Sequence, residues 1–270
     1  MVILEDTAVL FRGEKALTRV FVPREQWHGN TLFITGEDAH YITRVLRLGP
    51  QDTLTVLDGK GRAFRAVIKR ADGKNLYLDT VGEVQSATEP SLAVTLFQAV
   101  PKGDKMDLVV QKATELGVVR IVPVVTERVV VRLNAERGAK RRERWRKISI
   151  EAARQCGRTV APEVEPVMSF EDALNLLVPR DKNGSSSLLH LGILPWEGEE
   201  AVSLRECLTG KSPRAVSIFI GPEGGFSLSE VDAARARGII TVTLGRRILR
   251  TETAGITTLA LVMYTFGEIG

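Results

Sequence analysis

The sequence predicts two folded domains, a small β-barrel followed by an α/β domain with a mainly parallel sheet. Residues 19–85 hold five short segments in which apolar and polar residues alternate, separated by turn-forming residues, as in half-exposed strands. From Leu92 onward, strand-like apolar runs alternate with helix-like segments, which favours a parallel sheet. The polar, proline-bearing stretch 86–91 between the two patterns is predicted to be a linker.

The strands predicted for the first domain are RVFVP, TLFIT, DTLTVLD, RAFRAVIK and NLYLDTV. One helix-like insert, GEDAHYITRVLRL, interrupts them after the second strand. A set of this kind fits a closed or half-closed β-barrel. Residues 1–18 precede the pattern, and we treat them as an N-terminal extension without an assigned role.

The second domain is predicted to contain five strands and five helices. The strands are LAVTLFQAV, VRIVPVV, SSLLHLG, AVSIFI and ITVTL. The helices are expected at residues 104–116, 140–156, 170–177, 228–237 and 251–266. Asp104 is the expected N-cap of the first of these helices, because a short polar side chain accepts hydrogen bonds from the free N–H groups of the first turn.

Composition excludes several classes of protein. No apolar stretch approaches the roughly 18 residues that a membrane helix needs, and the acidic residues near the N-terminus do not fit a signal peptide. Cys156 and Cys207 lie far apart, and the three histidines are scattered, so we expect neither a disulfide framework nor a metal site. A reducing, cytoplasmic setting is expected.

Positive charge is concentrated in one segment. Residues 127–158 hold eleven Lys/Arg and four Asp/Glu, although the whole chain carries only +4. On the helix predicted there, Trp145 and Ala152 fall on an apolar face, and Arg154 and Arg158 fall on a cationic stripe. The stripe is either a polyanion-binding surface or a solvated helix face.

The segment IGPEGGFS (220–227) directly follows the apolar run AVSIFI. Ser227 and Glu230 have the spacing of a capping box, so a helix is predicted to start there. Loops at the carboxyl ends of parallel strands are common ligand sites, and glycines let a ligand approach the main chain. Glu223 argues against a phosphate and for a ligand with a neutral or cationic end; a strained turn without a ligand is the alternative.

Two further segments follow strands in the same way. LGRRILRTETA (244–254) carries three arginines before an apolar helix, which Thr251 or Thr253 is expected to cap. ILPWEGEE (193–200) offers Trp196 or Leu194 to cover a flat base and Glu197 to accept a hydrogen bond from a ribose or an amine. We expect the loops to share one pocket.

GPEGGFS followed by LGRRILRTETA resembles the signature of the RsmE family, S-adenosylmethionine-dependent enzymes that methylate N3 of a uridine in 16S ribosomal RNA. PKGDKMDLVVQKATELGV, IVPVVTERVV, ERWRKISIEAARQCGR and HYITRVLRL also resemble family segments, so the likeness spans about residues 19–269. It implies a PUA-like RNA-binding barrel over 19–86 and a SPOUT α/β domain with a trefoil knot over 91–270. It also implies a homodimer. The third loop, HLGILPWEGEEA, is longer than the family pattern.

The resemblance assigns S-adenosylmethionine to the glycine loop and its neighbours, where we expect Gly225→Val to fill the space of the ligand. The expected cofactor-binding residues are Leu191, Leu194, Ile220, Gly221, Pro222, Gly224, Gly225, Leu244, Gly245, Ile248, Leu249 and Thr253. Arg250 is the candidate for stabilising charge on the uracil, and Glu252 is the candidate proton acceptor. The expected RNA contacts are Arg19, His40, Arg44, Arg47, Lys102, Arg154 and Arg158.

Two other functions are considered. A non-catalytic RNA-binding or ribosome-assembly protein would share the barrel and the basic helix, but would not need GPEGGFS or LRTETA. A dinucleotide-dependent oxidoreductase would need the glycine fingerprint GxGxxG near the start of its domain, and the chain lacks that motif there.

Overall fold

The computed structural model describes residues 18–22, 24–72, 74–85, 88–128, 135–177 and 190–270. The chain divides into two compact units, Met1–Ser86 and Ala87–Gly270. The N-terminal extension as far as residue 17, residues 86–87 of the predicted linker and the first four residues of the predicted strand SSLLHLG lie outside the described residues.

The first unit is built on a six-stranded sheet in the order β1-β4-β5-β6-β3-β2. Its strands are β1 (Arg19–Phe21), β2 (Trp27–His28), β3 (Thr31–Thr35), β4 (Thr53–Leu57), β5 (Ala63–Ala71) and β6 (Asn75–Val84). Neighbours are antiparallel except for the parallel pair β1 and β4. Leu32 and Ile34 of β3 and Leu76 and Leu78 of β6 are buried, so the alternation in the sequence marks the core face.

The helix-like insert forms helix α1 (Gly36–His40), which continues directly as a π-helical turn over Tyr41–Val45. Ala39 and Ile42 are buried in the core of this unit, which anchors the insert. The opposite face, with His40 and Arg44, is exposed.

The second unit is built on a parallel seven-stranded sheet. Its strands are β7 (Ala93–Ala99), β8 (Arg120–Val125), β9 (Glu163–Val164), β10 (Met168–Ser169), β11 (His190–Pro195), β12 (Ala215–Ile220) and β13 (Ile240–Val242). The order is β10-β8-β7-β12-β11-β13, and β9 also pairs with β8. This arrangement confirms the predicted α/β class with a parallel sheet, and it places the carboxyl ends of β11, β12 and β13 along one edge.

The helices of the second unit are α2 (Lys105–Glu115), α3 (Ala135–Cys156), α4 (Phe170–Asn175), α5 (Leu204–Leu208), α6 (Leu228–Ala236) and α7 (Thr251–Thr265). α3 begins five residues before its predicted start. α5 was not predicted, although Ser203 and Glu206 form a capping box at its start, a pattern that is present in the sequence.

Helix starts were predicted with mixed success. The capping box of Ser227 and Glu230 at α6 is confirmed, with both of its hydrogen bonds. The predicted capping of α7 by Thr251 or Thr253 is wrong: Arg250 is the N-cap residue, and no side chain caps the helix. Asp104 occupies the N-cap position of α2, but its side chain makes no capping hydrogen bond.

The C-terminal end is tied to the start of β7. The Glu268 carboxylate accepts hydrogen bonds from the Ser91 N–H, the Ser91 hydroxyl and the Leu92 N–H at 3.1, 2.5 and 2.8 Å. Burial raises the pKa of Glu268, but these donors lower it by more, so the net pKa lies below its ordinary value. The last turn of the chain is therefore held beside residues 177 positions earlier.

Candidate functional site

Three loops at the carboxyl ends of β11, β12 and β13 line one cavity of about 870 Å³. They contribute residues 195–197, 199–200, 220–226 and 243–251, and Ala254 of α7 completes the lining. The carboxyl edge of a parallel sheet is the usual place for a ligand site in this class of fold. The prediction that these loops share one pocket is confirmed.

The glycine loop presents its main chain to the cavity through Gly221, Gly224 and Gly225. Gly225 has φ +66°, in the left-handed region that favours glycine, and its N–H donates to the Pro222 carbonyl at 3.0 Å. A Cβ at Gly225 would overlap the Glu197 carboxylate. The expected effect of Gly225→Val therefore has another physical cause, since the side chain would displace Glu197 rather than enter free cavity space.

The start of α7 is joined to the glycine loop by a buried hydrogen-bond chain. Gln98 Nε2 donates to the Thr251 hydroxyl at 2.9 Å and to the Ala99 carbonyl at 3.2 Å. The Thr251 hydroxyl donates to the Gly221 carbonyl at 2.5 Å. Gln98 and Thr251 are both buried, so the chain fixes the first residue of the glycine loop against β7 and α7.

Two carboxylates flank the same region. The Glu223 carboxylate accepts a hydrogen bond from the Lys102 N–H at 3.1 Å, and Lys105 Nζ lies 3.6 Å from it. Lys105 Nζ also lies 3.3 Å from Glu252 Oε1. Burial raises the pKa of Glu223, but hydrogen bonds from its own N–H, the Lys102 N–H and Lys105, together with the charge of Lys105, lower it by more. Glu223 is therefore held as an anion.

The arginine-bearing segment also lines the cavity. Arg246, Arg247 and Arg250 are exposed cavity-lining residues, whereas Leu249 is half-buried. Ile248 lines the cavity but is 89% exposed, so an apolar ligand would have to cover it. Arg250 immediately precedes α7 and lies two residues before Glu252.

The loop after β11 is fixed by its own polar contacts. Glu199 accepts hydrogen bonds from the Thr241 hydroxyl at 2.5 Å, the Ala201 N–H at 3.0 Å and Arg235 Nη2 at 3.1 Å. These donors, led by Thr241, hold the pKa of Glu199 below its ordinary value. The Arg235 guanidinium also lies 5.4 Å from the Trp196 ring centroid. The contact with Arg235 thus holds the Trp196 ring in place at the edge of the cavity.

Most of the predicted cofactor residues line the cavity, but three do not. Leu191 and Leu194 are corrected: their side chains are buried in the hydrophobic core, away from the cavity. Thr253 is exposed and lies outside the cavity lining. The nine that line it are Ile220, Gly221, Pro222, Gly224, Gly225, Leu244, Gly245, Ile248 and Leu249.

Sequence reasoning missed several residues that hold the site together. Gln98 is the penultimate residue of β7, where a polar side chain in an apolar run was a usable signal. Lys105 starts a helix, and nothing in its local pattern marks the two carboxylates that it meets. Arg128 Nη1 donates to the Gly224 carbonyl at 3.1 Å, which links the segment after β8 to the glycine loop.

The predicted RNA contacts have different environments. Arg158 is corrected: its side chain is buried, pairs with Glu89 at 2.8 Å, and donates to the Thr114 and Val118 carbonyls. Arg154 is half-buried and lies 3.7 Å from Glu151. By contrast, Arg44, Arg47, His40 and Lys102 are exposed, and Arg19 is half-buried.

Much of the positive charge on α3 is compensated. Lys140 pairs with Glu136, Arg146 with Glu143 and Arg144 with Asp107 of α2, while Arg142 donates to the Val164 carbonyl. Of the two interpretations of the basic segment, these pairs favour a solvated helix face over most of its length. The apolar face is confirmed, with Trp145 and Ala152 buried.

Within the described ranges, no group of three His, Cys, Asp or Glu side chains is arranged to hold a metal ion. In the same residues, no helix has the length and apolar character needed to cross a membrane.

Comparisons with known proteins agree with this geometry. A model of the RNA methyltransferase domain matches residues 88–263, and one of the RNA methyltransferase PUA domain matches residues 34–81. The chain is 32% identical to Ribosomal RNA small subunit methyltransferase E of Bacillus subtilis, over 87% of this chain and 90% of that protein. It is 33% identical to the protein of the same name from Synechocystis, over 90% of this chain and 76% of that protein.

Solved structures give the same result. Ribosomal RNA small subunit methyltransferase E from Neisseria gonorrhoeae, bound to S-adenosyl methionine, is 32% identical with a TM-score of 0.80, over 92% of this chain and 98% of that chain. A Legionella pneumophila methyltransferase in complex with the bound cofactor SAM is 30% identical with a TM-score of 0.80, over 93% and 98%. The chain therefore belongs to the family of RNA methyltransferases that includes Ribosomal RNA small subunit methyltransferase E.

Proposed function

We propose that this protein is an S-adenosylmethionine-dependent methyltransferase that methylates N3 of a uridine in 16S ribosomal RNA. The observation that carries the proposal is the cavity between the bare glycine loop and the arginine-bearing segment. The Neisseria relative, with 32% identity, binds S-adenosyl methionine, and the curated relatives act on ribosomal RNA of the small subunit by name.

The residues present fit this cofactor. The main chain at Gly221, Gly224 and Gly225 is open to the cavity, and Ile220 and Leu249 add apolar surface for a flat base. S-adenosylmethionine carries a cationic sulfonium and an ammonium group. The acidic groups on the cavity lining suit such charges; they are Glu197, Glu199, Glu200 and Glu223.

When bound, S-adenosylmethionine supplies an electrophilic methyl group, and the sulfur keeps the electron pair of the broken bond as a neutral thioether. This chain must supply the groups that act on the uracil. Uridine N3 is a poor nucleophile while it carries its proton, so a group must accept that proton and another must stabilise the charge left on the ring. Glu252 and Arg250 are the residues that we assign to these two roles.

Glu252 is suited to accept the proton. Its carboxylate is mostly buried, its Oε1 lies beside Lys105, and its buried Oε2 has no hydrogen-bond partner among the described residues. Arg250 is exposed on the cavity lining two residues earlier. A guanidinium there can donate to a uracil carbonyl oxygen as negative charge develops on it.

RNA binding is assigned mainly to exposed cations. Arg44 and Arg47 lie on the insert of the first unit, close in sequence to the exposed His40 and Tyr41, which are suited to stacking on an unpaired base. Lys102, Arg19 and Arg154 remain candidates. Affinity that depends on phosphate contacts falls steeply with salt.

The finer features of the fold are also proposals. We infer that the first unit is a PUA-like barrel over residues 19–86 and that residues 91–270 form a SPOUT domain with a trefoil knot. The return of the chain from the edge strand β13 to α7, which packs on the central strands β7 and β12, supports the knot.

A homodimer is proposed from the exposed Leu261 and Tyr264 on α7. Its ribosomal RNA substrate would place the protein in the cytoplasm.

The decisive experiment maps modified uridines in 16S ribosomal RNA by mass spectrometry, in cells with and without this protein. The modification should vanish without the protein and return with the wild-type gene, but not with Arg250→Ala. Calorimetry should show that the wild type and Arg250→Ala both bind S-adenosylmethionine. Arg237→Ala, which alters an exposed arginine outside the cavity lining, is the matched control and should restore the modification. Absence of cofactor binding by the wild type would favour the non-catalytic RNA-binding alternative.

A further inference from the structure

Lys105, the first residue of α2, lies between two carboxylates from different elements. Its Nζ is 3.6 Å from Glu223 Oε1 in the loop after β12 and 3.3 Å from Glu252 Oε1 in the first turn of α7. One cation therefore joins α2 to both segments that flank the cavity. The lysine side chain is about one-third exposed. The Glu252 side chain is 12% exposed and the Glu223 side chain 32%, so the carboxylate of the Lys105–Glu252 pair is the more buried of the two.

The two oxygens of Glu252 have different environments. Oε1 faces Lys105, whereas Oε2 is buried and lacks a hydrogen-bond partner among the described residues. A buried carboxylate oxygen without a donor is costly. Lys105 is the charged partner that the structure places on this carboxylate, through Oε1.

We propose that Lys105 is a positioning residue that fixes the orientation of the Glu252 carboxylate, the group to which we assign acceptance of the N3 proton of the substrate base. The proposal rests on the proposed function. Because Lys105 contacts both Glu223 and Glu252, it also couples the proton acceptor to the cofactor loop. In the proton-transfer step, the N3–H bond breaks, the proton moves to the Glu252 carboxylate, and the electron pair of the broken bond stays on N3.

Among the described residues, the charged groups linked to Glu252 come from α2 and, through Lys105, from the loop after β12. Lys105 faces it from α2, Glu223 shares that lysine from the loop after β12, and Arg250 precedes it in the chain. Gln98 of β7 is polar but uncharged, and it is hydrogen-bonded to Thr251. Loss of Lys105 would therefore leave two carboxylates without their shared cation.

The test measures single-turnover methyl transfer to 16S RNA at saturating S-adenosylmethionine. Lys105→Met should lower the maximal rate about tenfold. The KM for S-adenosylmethionine should change less than the rate, and Lys105→Arg should recover most of it. Lys112→Met, which breaks the surface pair with Glu115 on the same helix, is the matched control and should match the wild type.

Double-mutant cycles separate the two contacts. In a Glu252→Gln background, Lys105→Met should cause little further loss, because the lysine acts through that carboxylate. Losses that add independently would overturn the proposal. So would a loss that disappears in a Glu223→Gln background but persists in Glu252→Gln, because Lys105 would then act only on the cofactor loop.

Folding is checked on the same proteins by thermal unfolding and calorimetry. If Lys105→Met does not fold, the same double-mutant cycles are measured with Lys105→Gln and Lys105→Arg. An unchanged maximal rate in folded Lys105→Met, with wild-type transfer intact, would refute the role of Lys105 alone. A wild-type protein that neither binds S-adenosylmethionine nor transfers a methyl group would instead refute the proposed function.

Discussion

The Thr251 hydroxyl donates a 2.5 Å hydrogen bond to the carbonyl oxygen of Gly221, and so joins the first residue of α7 to the first glycine of the loop after β12. The same hydroxyl accepts from Gln98 Nε2 at 2.9 Å. A threonine at the start of a helix normally caps it, but here the side chain is turned toward another loop. The glycine loop therefore depends on α7 for its position.

Thr251→Val keeps the shape of the side chain but removes both hydrogen bonds of the hydroxyl, the one to Gly221 and the one from Gln98. We expect binding of S-adenosylmethionine to weaken about tenfold, since a net hydrogen bond contributes about 1 kcal/mol and the freed Gly221 carbonyl is partly buried. Calorimetry gives the dissociation constant. Thr251→Ser retains the hydroxyl and should bind nearly as the wild type; equal weakening by both variants would show that the methyl group matters instead.

Gly225→Ala should weaken cofactor binding because its Cβ overlaps the Glu197 carboxylate and its φ of +66° strains any L residue. Gly210→Ala is the control for strain alone, since Gly210 has φ +69° but open space around its Cβ position. Each variant should lose about 1 kcal/mol of unfolding free energy from strain. Only Gly225→Ala should alter binding, and adding Glu197→Ala should restore part of it. A loss of binding in Gly210→Ala would contradict this assignment.

Arg158→Met should destabilise the protein by about 3 kcal/mol, because it leaves Glu89 partly buried without its cation. Denaturant unfolding measures this change. The salt dependence of RNA binding should stay as in the wild type, since Arg158 is enclosed by protein. Arg44→Ala with Arg47→Ala should do the opposite, lowering the salt slope with little effect on stability. A lower salt slope for Arg158→Met would instead show that Arg158 takes part in RNA binding.

Glu199 should make stability depend on acid pH. Its hydrogen bonds from Thr241, the Ala201 N–H and the Val202 N–H, with Arg235, hold its pKa below the ordinary value of 4.5. The folded state thus binds the proton less readily than the unfolded state. The stabilisation is complete above pH 4.5 and is lost as the pH falls through the lowered pKa.

Unfolding midpoints measured from pH 7 to pH 3 test this dependence. Glu199→Gln should show a shallower decline in stability below pH 4.5 than the wild type. The exposed neighbour Glu200 provides the control, and Glu200→Gln should follow the wild-type curve. Identical curves for Glu199→Gln and the wild type would mean that Glu199 contributes no such linkage.

The parts of the fold that local patterns encode could be predicted. Alternation located β3 and β6, and strand-to-helix spacing located β12, α6 and the cavity between them. Local patterns do not encode which distant residues meet. The stripe containing Arg158 was visible at helical spacing, but its partner Glu89 lies 69 residues earlier. Periodicity therefore predicted the helix face on which Arg158 lies, but it did not predict that the side chain is buried.

The same limit applies to the site. Glycines and arginines after strands indicate a ligand loop by their chemistry alone, and most of those residues do line the cavity. Leu194 lies in the core and not on the cavity lining. A strand has two faces, so an apolar residue near its end can belong to either the core or the site. Lys105 could not be found, since its role depends on tertiary contacts with residues more than a hundred positions away.

The contact between Glu268 and Ser91 has a consequence for how the second unit could be rearranged. Its first strand and its last turn are neighbours in space, although they are the two extremes of the sequence of that unit. A short linker from Gly270 to the segment before Ser91 would close the chain into a ring. New ends could then be opened at the exposed turn between Gly210 and Lys211, giving a circular permutant in which the glycine loop and the arginine-bearing segment come near the start of the chain.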